Sequence, residues 1–171
     1  WIYYQIHYSR VKQNLFSYPK KTNMVYLVHI HCGVFNLLIY IKNNKKMTNF
    51  LKNKKISVTG GEGFLGGHLI RLLEKKNPKK ISIVRHSEYD LVNGSDVQRM
   101  YKDQNPDVVF HLAATVGGIG VNQRNPGKFF YENAVMNLQV IHNAYLTNVE
   151  KIISIGTVSV YPGDTPIPFE E

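Results

Sequence analysis

Three glycines follow a short apolar run, Ile56-Ser57-Val58-Thr59 leading into Gly60-Gly61-Glu62-Gly63-Phe64-Leu65-Gly66 with G-x-x-G-x-x-G spacing. Residues of this kind bring main-chain amides, rather than side chains, to a ligand. A tight turn at Gly60 redirects the chain, Gly63 admits a diphosphate against bare backbone, and Gly66 lets a following helix pack closely. The unpaired N–H groups and positive dipole end of that helix then face the anion. The motif lacks the Lys-Ser/Thr ending of a nucleoside-triphosphate loop. Histidines offer less: His111 sits inside an apolar run and reads as a packed neutral ring, and nothing converges on His68 or His142. His29, His31 and Cys32 lack a complementary ligand cluster, so no metal site is expected.

The glycines work only if a strand precedes them and a helix follows. Lys55 to Thr59 reads as the strand. Phe64, Leu65, Leu69, Leu72 and Leu73 recur near the 3.6 period through Glu74, and Asn77-Pro78 ends the helix. Further strands are expected at Lys80–Val84, Val108–Ala114 and Lys151–Ile155. Ser95 is expected to cap a helix running to about Asp103, and Asn125-Pro126 to open a long helix ending near Thr147. Apolar runs without alternation mark strands buried on both faces of a parallel sheet, so the expected class is α/β, the N-terminal part of a doubly wound Rossmann sheet. With these four strands numbered along the chain, the expected order is 3-2-1-4. The fourth, Ile152-Ile153-Ser154-Ile155, would then be an open, aggregation-prone edge, which points to a truncated sheet.

Of the 171 residues, Trp1 to Lys55 carry ten Lys or Arg and no acid, whereas Ile56 to Glu171 carry eleven bases against twelve acids. The formal charge of +9 therefore belongs to an irregular basic extension, 1–53, and the domain at 54–171 is nearly neutral. Nucleic acid is not an expected partner. The extension starts at Trp1 and shows no clean periodicity, and Met47 within it would make a natural start, so Trp1 to Lys46 is expected to be upstream sequence or a poorly ordered segment. Val25 to Ile41 is a seventeen-residue apolar run flanked by lysines, but His29, His31 and Asn36 make membrane insertion costly, so no membrane partner is expected. With Cys32 the sole cysteine, no internal disulfide can form, which suits a cytoplasmic location.

With these residues in place, the chain resembles the extended short-chain dehydrogenase/reductase superfamily of the NAD-dependent epimerase/dehydratase type, and within it the GDP-L-fucose synthase group. Four blocks carry the likeness: Thr59 to Gly66; Pro106-Asp107-Val108-Val109-Phe110-His111-Leu112-Ala113-Ala114; Val116-Gly117-Gly118-Ile119-Gly120 with Asn122 and Pro126; and Gly156-Thr157-Val158-Ser159-Val160-Tyr161-Pro162. The resemblance implies that Gly60, Gly61, Glu62, Gly63, Phe64, Leu65 and Gly66 wrap a pyrophosphate. It places Asp90 and Leu91 at the adenine, and Ala113, Ala114, Ile155 and Gly156 along the cofactor. Arg85 stands where an acid commonly meets the ribose hydroxyls. A guanidinium there suits a 2′-phosphate, so NADP(H) is favoured and NAD is retained as the alternative.

The resemblance also gives Thr157 as the catalytic hydroxyl and places Gly117, Gly118, Ile119 and Asn122 on the sugar side. Ser159 stands where the group carries a cysteine used in epimerisation. A serine hydroxyl is a far weaker acid than a thiol, so epimerisation at C3 and C5 needs another group as base. The superfamily's Tyr-x-x-x-Lys pair is absent, since Thr165 stands four residues after Tyr161. The residues given are therefore expected to be inactive alone, as the N-terminal fragment of an enzyme that reduces a GDP-linked 4-keto-6-deoxy sugar and is a homodimer when full length. Two other readings stay open: a nucleotide-sugar 4-epimerase or dehydratase with bound NAD, and a non-catalytic nucleotide-binding protein.

Overall fold

The structure, a computed structural model, describes residues 24–28, 41 and 45–155. In chain order it runs β1 (Met24–Val28), α1 (Lys45–Leu51), β2 (Lys55–Thr59), α2 (Phe64–Glu74), β3 (Lys80–Val84), α3 (Gly94–Gln104), β4 (Val108–His111), α4 (Ile119–Arg124), α5 (Pro126–Leu146) and β5 (Lys151–Ile155). The five strands form one parallel sheet in the order β1-β5-β4-β2-β3. This is the expected α/β Rossmann-like class.

The strand order differs from the sequence expectation. For the four expected strands it is 2-1-3-4, not 3-2-1-4, because β4 inserts between β2 and β5. Burial explains the choice. All four residues of β4 are buried, whereas β3 opens on exposed Lys80 and is only half-buried through Ile83. An edge strand leaves one flank open, so β3 can occupy the edge at little cost and Val108-Val109-Phe110 cannot. The crossover from β2 to β3 and the one from β3 back past β2 to β4 run in opposite directions, so right-handed connections must place α2 and α3 on opposite faces. The core divides accordingly: Leu69 and Leu73 of α2 pack with Val58, Val108 and Phe110, while Val97, Met100 and Tyr101 of α3 pack with Met136, Val140, Val109 and Ile152.

The far edge is also different. β5 is not left open, because β1 pairs with it in parallel, Val25 opposite Ile152 and Leu27 opposite Ser154. Met24-Val25-Tyr26-Leu27-Val28 is rich in β-forming side chains, and its backbone satisfies groups that β5 would otherwise expose. The basic extension thus contributes a strand as well as α1, and Ile41, Met47 and Leu51 are buried beside α2. Cys32 and most of the Val25–Ile41 run lie outside the described residues. No helix among the described residues is long and apolar enough to cross a membrane.

Two boundaries move for local reasons. Asn93, not Ser95, caps α3: its Oδ1 accepts from the Ser95 amide at 3.0 Å and the Ser95 hydroxyl at 2.8 Å. β4 stops at His111, before the expected Ala114, because the Leu112 amide is shared between the Thr59 carbonyl and hydroxyl, both at 3.2 Å, and the Ala113 amide turns to the hydroxyl. The helix that precedes each of β2, β3, β4 and β5 is followed by an asparagine at positive φ, namely Asn53, Asn77, Asn105 and Asn148. The short amide side chain tolerates the left-handed region that ends a helix. At Asn105 (φ 41°) the backbone amide donates to Tyr101 O at 2.8 Å, closing α3 just before β4. Asn105→Ala should lower stability by about 1 kcal/mol and Asn105→Gly should leave it unchanged or raised, measured by urea denaturation.

Candidate functional site

The glycine turn sits at the carboxyl end of β2, next to β4; the crossover from β2 departs to β3 on one side and that from β4 departs to β5 on the other. Open α/β sheets bind ligands in the crevice at such a reversal. Gly60 has φ +67°, and a Cβ there would also fall 2.8 Å from Ala113 N. Conformation and space both require glycine. A Cβ on Gly66 would overlap the Gly60 carbonyl and the Gly61 backbone, so the first turn of α2 can rest directly on the strand end. Gly63 caps α2 with no side-chain bond and is exposed, and a Cβ there would meet only Gly60 O at 3.2 Å. Helix geometry leaves the first amides of α2 without intrahelical acceptors, and no acidic side chain occupies that first turn. The resulting cradle fits a diphosphate, which would meet backbone N–H groups and the positive end of α2.

What fixes the turn is a buried polar knot. Thr59 Oγ1 accepts from the amides of Leu112 and Ala113, both at 3.2 Å, and lies 2.7 Å from His111 Nδ1. With its lone pairs taken, the hydroxyl donates to Nδ1, which leaves the ring proton on Nε2. That atom is buried with no hydrogen-bond partner among the described residues. Burial drives the His111 pKa from 6.5 down to about 4, against a smaller upward pull from Asn137. His111 is therefore a neutral strut joining the ends of β2 and β4, unsuited to act as a base near neutrality.

The other residues singled out in the sequence are placed as follows. Glu62 is exposed at the turn, and its Oε1 accepts from Arg85 Nε at 2.7 Å. Arg85, just past β3, also pairs with Glu88 at 3.4 Å, and these carboxylates raise its pKa. Gly61 packs against Ile83, Leu65 is half-buried, and Phe64 is exposed with its ring edge-on to His68. Asp90 Oδ1 accepts from the Val92 amide at 3.0 Å, while Leu91 is buried in the core beneath β3 and α3. Ala113 is half-buried and Ala114 exposed beside the turn. Gly117 leads into α4, its carbonyl bonded to Asn122 Nδ2 at 3.0 Å, Gly118 caps that helix with open space around it, and Ile119 is exposed. Ile155 ends β5; Gly156, Thr157 and Ser159 lie outside the described residues. A shallow depression of about 460 Å³ runs along the open edge of β3 between Lys80 and Gln104 and shares Arg85 with the turn. No group of three or more potential metal ligands occurs among the described residues.

One positioning residue escaped the sequence reading. Asn133 of α5 donates to Thr115 O and accepts from Thr115 N, both at 2.8 Å, clamping the loop that carries Gly117 to Asn122. No local signal singled it out, because the same helix also carries Glu132, Asn137, Gln139 and Asn143.

Residues 56–171 match the NAD dependent epimerase/dehydratase family. Over 120 residues the chain is 33% identical to GDP-L-fucose synthase 1 of Arabidopsis thaliana, covering 70% of this chain and 37% of that protein. Identity to the GDP-L-fucose synthase of Escherichia coli is 26% over 121 residues, covering 71% and 38%. Among solved structures, the GDP-mannoheptose C4 reductase of Campylobacter jejuni with NADP bound superposes with TM-score 0.65 at 32% identity, covering 69% of this chain and 37% of that one. A GDP-L-fucose synthetase from Naegleria fowleri bound to NADP gives 0.61 at 28%, covering 67% and 35%. The chain thus spans just over a third of the length of the curated relatives it matches.

The folded His111 pKa lies below the unfolded value, so the unfolded chain takes up the proton first as pH falls. Stability should be complete above about pH 6.5 and decline toward pH 4, with a slope approaching roughly 1.4 kcal/mol per pH unit. In urea titrations between pH 7 and 4.5, His111→Asn should show a shallower decline than the parent chain. Asn133→Leu should cost about 1–3 kcal/mol, because it strands both polar groups of Thr115, and hydrogen exchange of the Thr115 amide should accelerate.

Proposed function

Because this chain belongs to the NAD dependent epimerase/dehydratase family, we propose that it builds the dinucleotide-binding part of a nucleotide-sugar epimerase/reductase. The activity is of the GDP-L-fucose-synthase kind: reduction of a GDP-linked 4-keto-6-deoxy sugar, with NADP(H) preferred to NAD(H). The observation that carries the reading is the glycine turn. Gly60 is held at positive φ against Ala113, and Gly66 is pressed onto Gly60, at the point where the crossovers diverge. The names of the relatives, which include GDP-L-fucose synthases and NADP-bound GDP-sugar reductases, support the substrate class and the cofactor.

In this reading the amides from Gly60 to Gly66 hold the pyrophosphate, with Gly61, Glu62, Phe64 and Leu65 shaping the turn. Arg85, Asp90 and Leu91 bound the adenosine end, and Ala113, Ala114, Ile155 and Gly156 lie along the dinucleotide. When bound, the dinucleotide supplies a hydride to the sugar carbonyl carbon. Thr157 hydrogen-bonds the sugar oxygen as charge develops there, and Ser159 offers a second hydroxyl. Gly117, Gly118, Ile119 and Asn122 line the sugar side, held by the Asn133 clamp. Phe130, Leu138, Tyr145 and Leu146, exposed on α5, support a homodimer.

The test is a calorimetric titration with NADPH. Gly63 is exposed and its Cβ would crowd only one carbonyl, so Gly63→Ala should fold normally while a methyl group intrudes where the diphosphate would lie. The variant should keep the parent melting temperature and bind NADPH at least about tenfold more weakly. Equal affinity in parent and variant would remove the glycine turn from the binding site.

A further inference from the structure

The contact between Glu62 and Arg85 bears on which dinucleotide the site accepts. Arg85 follows the last residue of β3, where Rossmann sheets read the adenosine ribose and where a guanidinium can hold a 2′-phosphate. Here that guanidinium is already engaged. Glu62 reaches from the glycine turn to Arg85 Nε at 2.7 Å, and Glu88 meets NH1 at 3.4 Å from the other side. Two carboxylates therefore flank one cation, and the cluster is net negative where a phosphate dianion would have to land. The other charged groups nearby do not reverse this: His86 and Asp90 face each other at 3.9 Å, and Arg99, which donates to the Glu88 carbonyl at 2.6 Å, is itself paired with Asp96 at 2.7 Å. A 2′-phosphate must either displace a carboxylate from Arg85 or take the remaining Nη2 donors with both carboxylates beside it, whereas a ribose hydroxyl can donate to a carboxylate without breaking the pair.

We propose that Glu62 is a specificity-determining residue of the dinucleotide site: by holding Arg85 it competes with the 2′-phosphate and narrows the preference for NADP(H) over NAD(H). The inference rests on the dinucleotide reading above, and adds a specificity that the glycine spacing alone does not contain. Both side chains are largely in solvent, at 62% and 45% exposure, so replacing either removes no core packing.

The experiment measures NADPH and NADH dissociation constants for the parent chain, Glu62→Gln, Arg85→Gln and the double variant at fixed ionic strength. Glu62→Gln should raise the NADPH-to-NADH affinity ratio by about tenfold, Arg85→Gln should lower it, and the Glu62 effect should vanish in the double variant. An unchanged ratio in Glu62→Gln, or an equal rise with Arg85 absent, overturns the proposal while the dinucleotide reading stands. Failure of every protein to bind either dinucleotide overturns the dinucleotide reading itself, and this proposal with it.

Discussion

Everything at the candidate site depends on the hydroxyl of Thr59. It is fully buried at the end of β2 and takes up the amides of Leu112 and Ala113 as β4 stops pairing. A strand that ends in the interior leaves polar groups that must find partners, and each one left unmet costs about 1–3 kcal/mol. Here one side chain takes the Ala113 amide, shares the Leu112 amide with the Thr59 carbonyl, and also fixes the His111 ring. The ends of β2 and β4 are thereby locked together, which leaves Gly60 so little room that only a residue without Cβ fits.

From that lock the rest follows by geometry. Once Gly60 turns, α2 starts against the turn, and Gly66 must be bare for the contact to close. α2 then covers one face of the sheet while α3 and α5 cover the other. The loop after β4 is held by Asn133 through both main-chain groups of Thr115. The glycine turn is thus made of backbone, while the charged residues Glu62, Arg85 and Glu88 stand in solvent at its rim. In the proposed reading, binding of the diphosphate and choice of the ribose substituent would fall to different parts of the molecule.

Much of this was legible in the residues. The bounds of β2, α2, β3 and β5 follow from apolar spacing, the glycine turn and Asn77-Pro78, because those signals act within a few residues of one another. The order of the strands was less accessible. Continuous burial of Val108 to Phe110 could have argued for a central position, but the crossover rule restricts handedness and not which neighbour a strand takes. Asn93 and Ser95 compete for one cap, and both suit it chemically, so local preference cannot separate them.

The sequence by itself determined that a strand, a glycine turn and a helix would follow one another and leave the helix's first amides unpaired, since backbone freedom and hydrophobic period are properties of neighbouring residues. Only the tertiary structure decided that β4 lies beside β2, that β1 covers β5, and that Glu62 meets Arg85 across 23 residues of chain. Those outcomes depend on which surfaces compete for burial and pairing when distant segments come together, and such competition is settled by the assembled sheet.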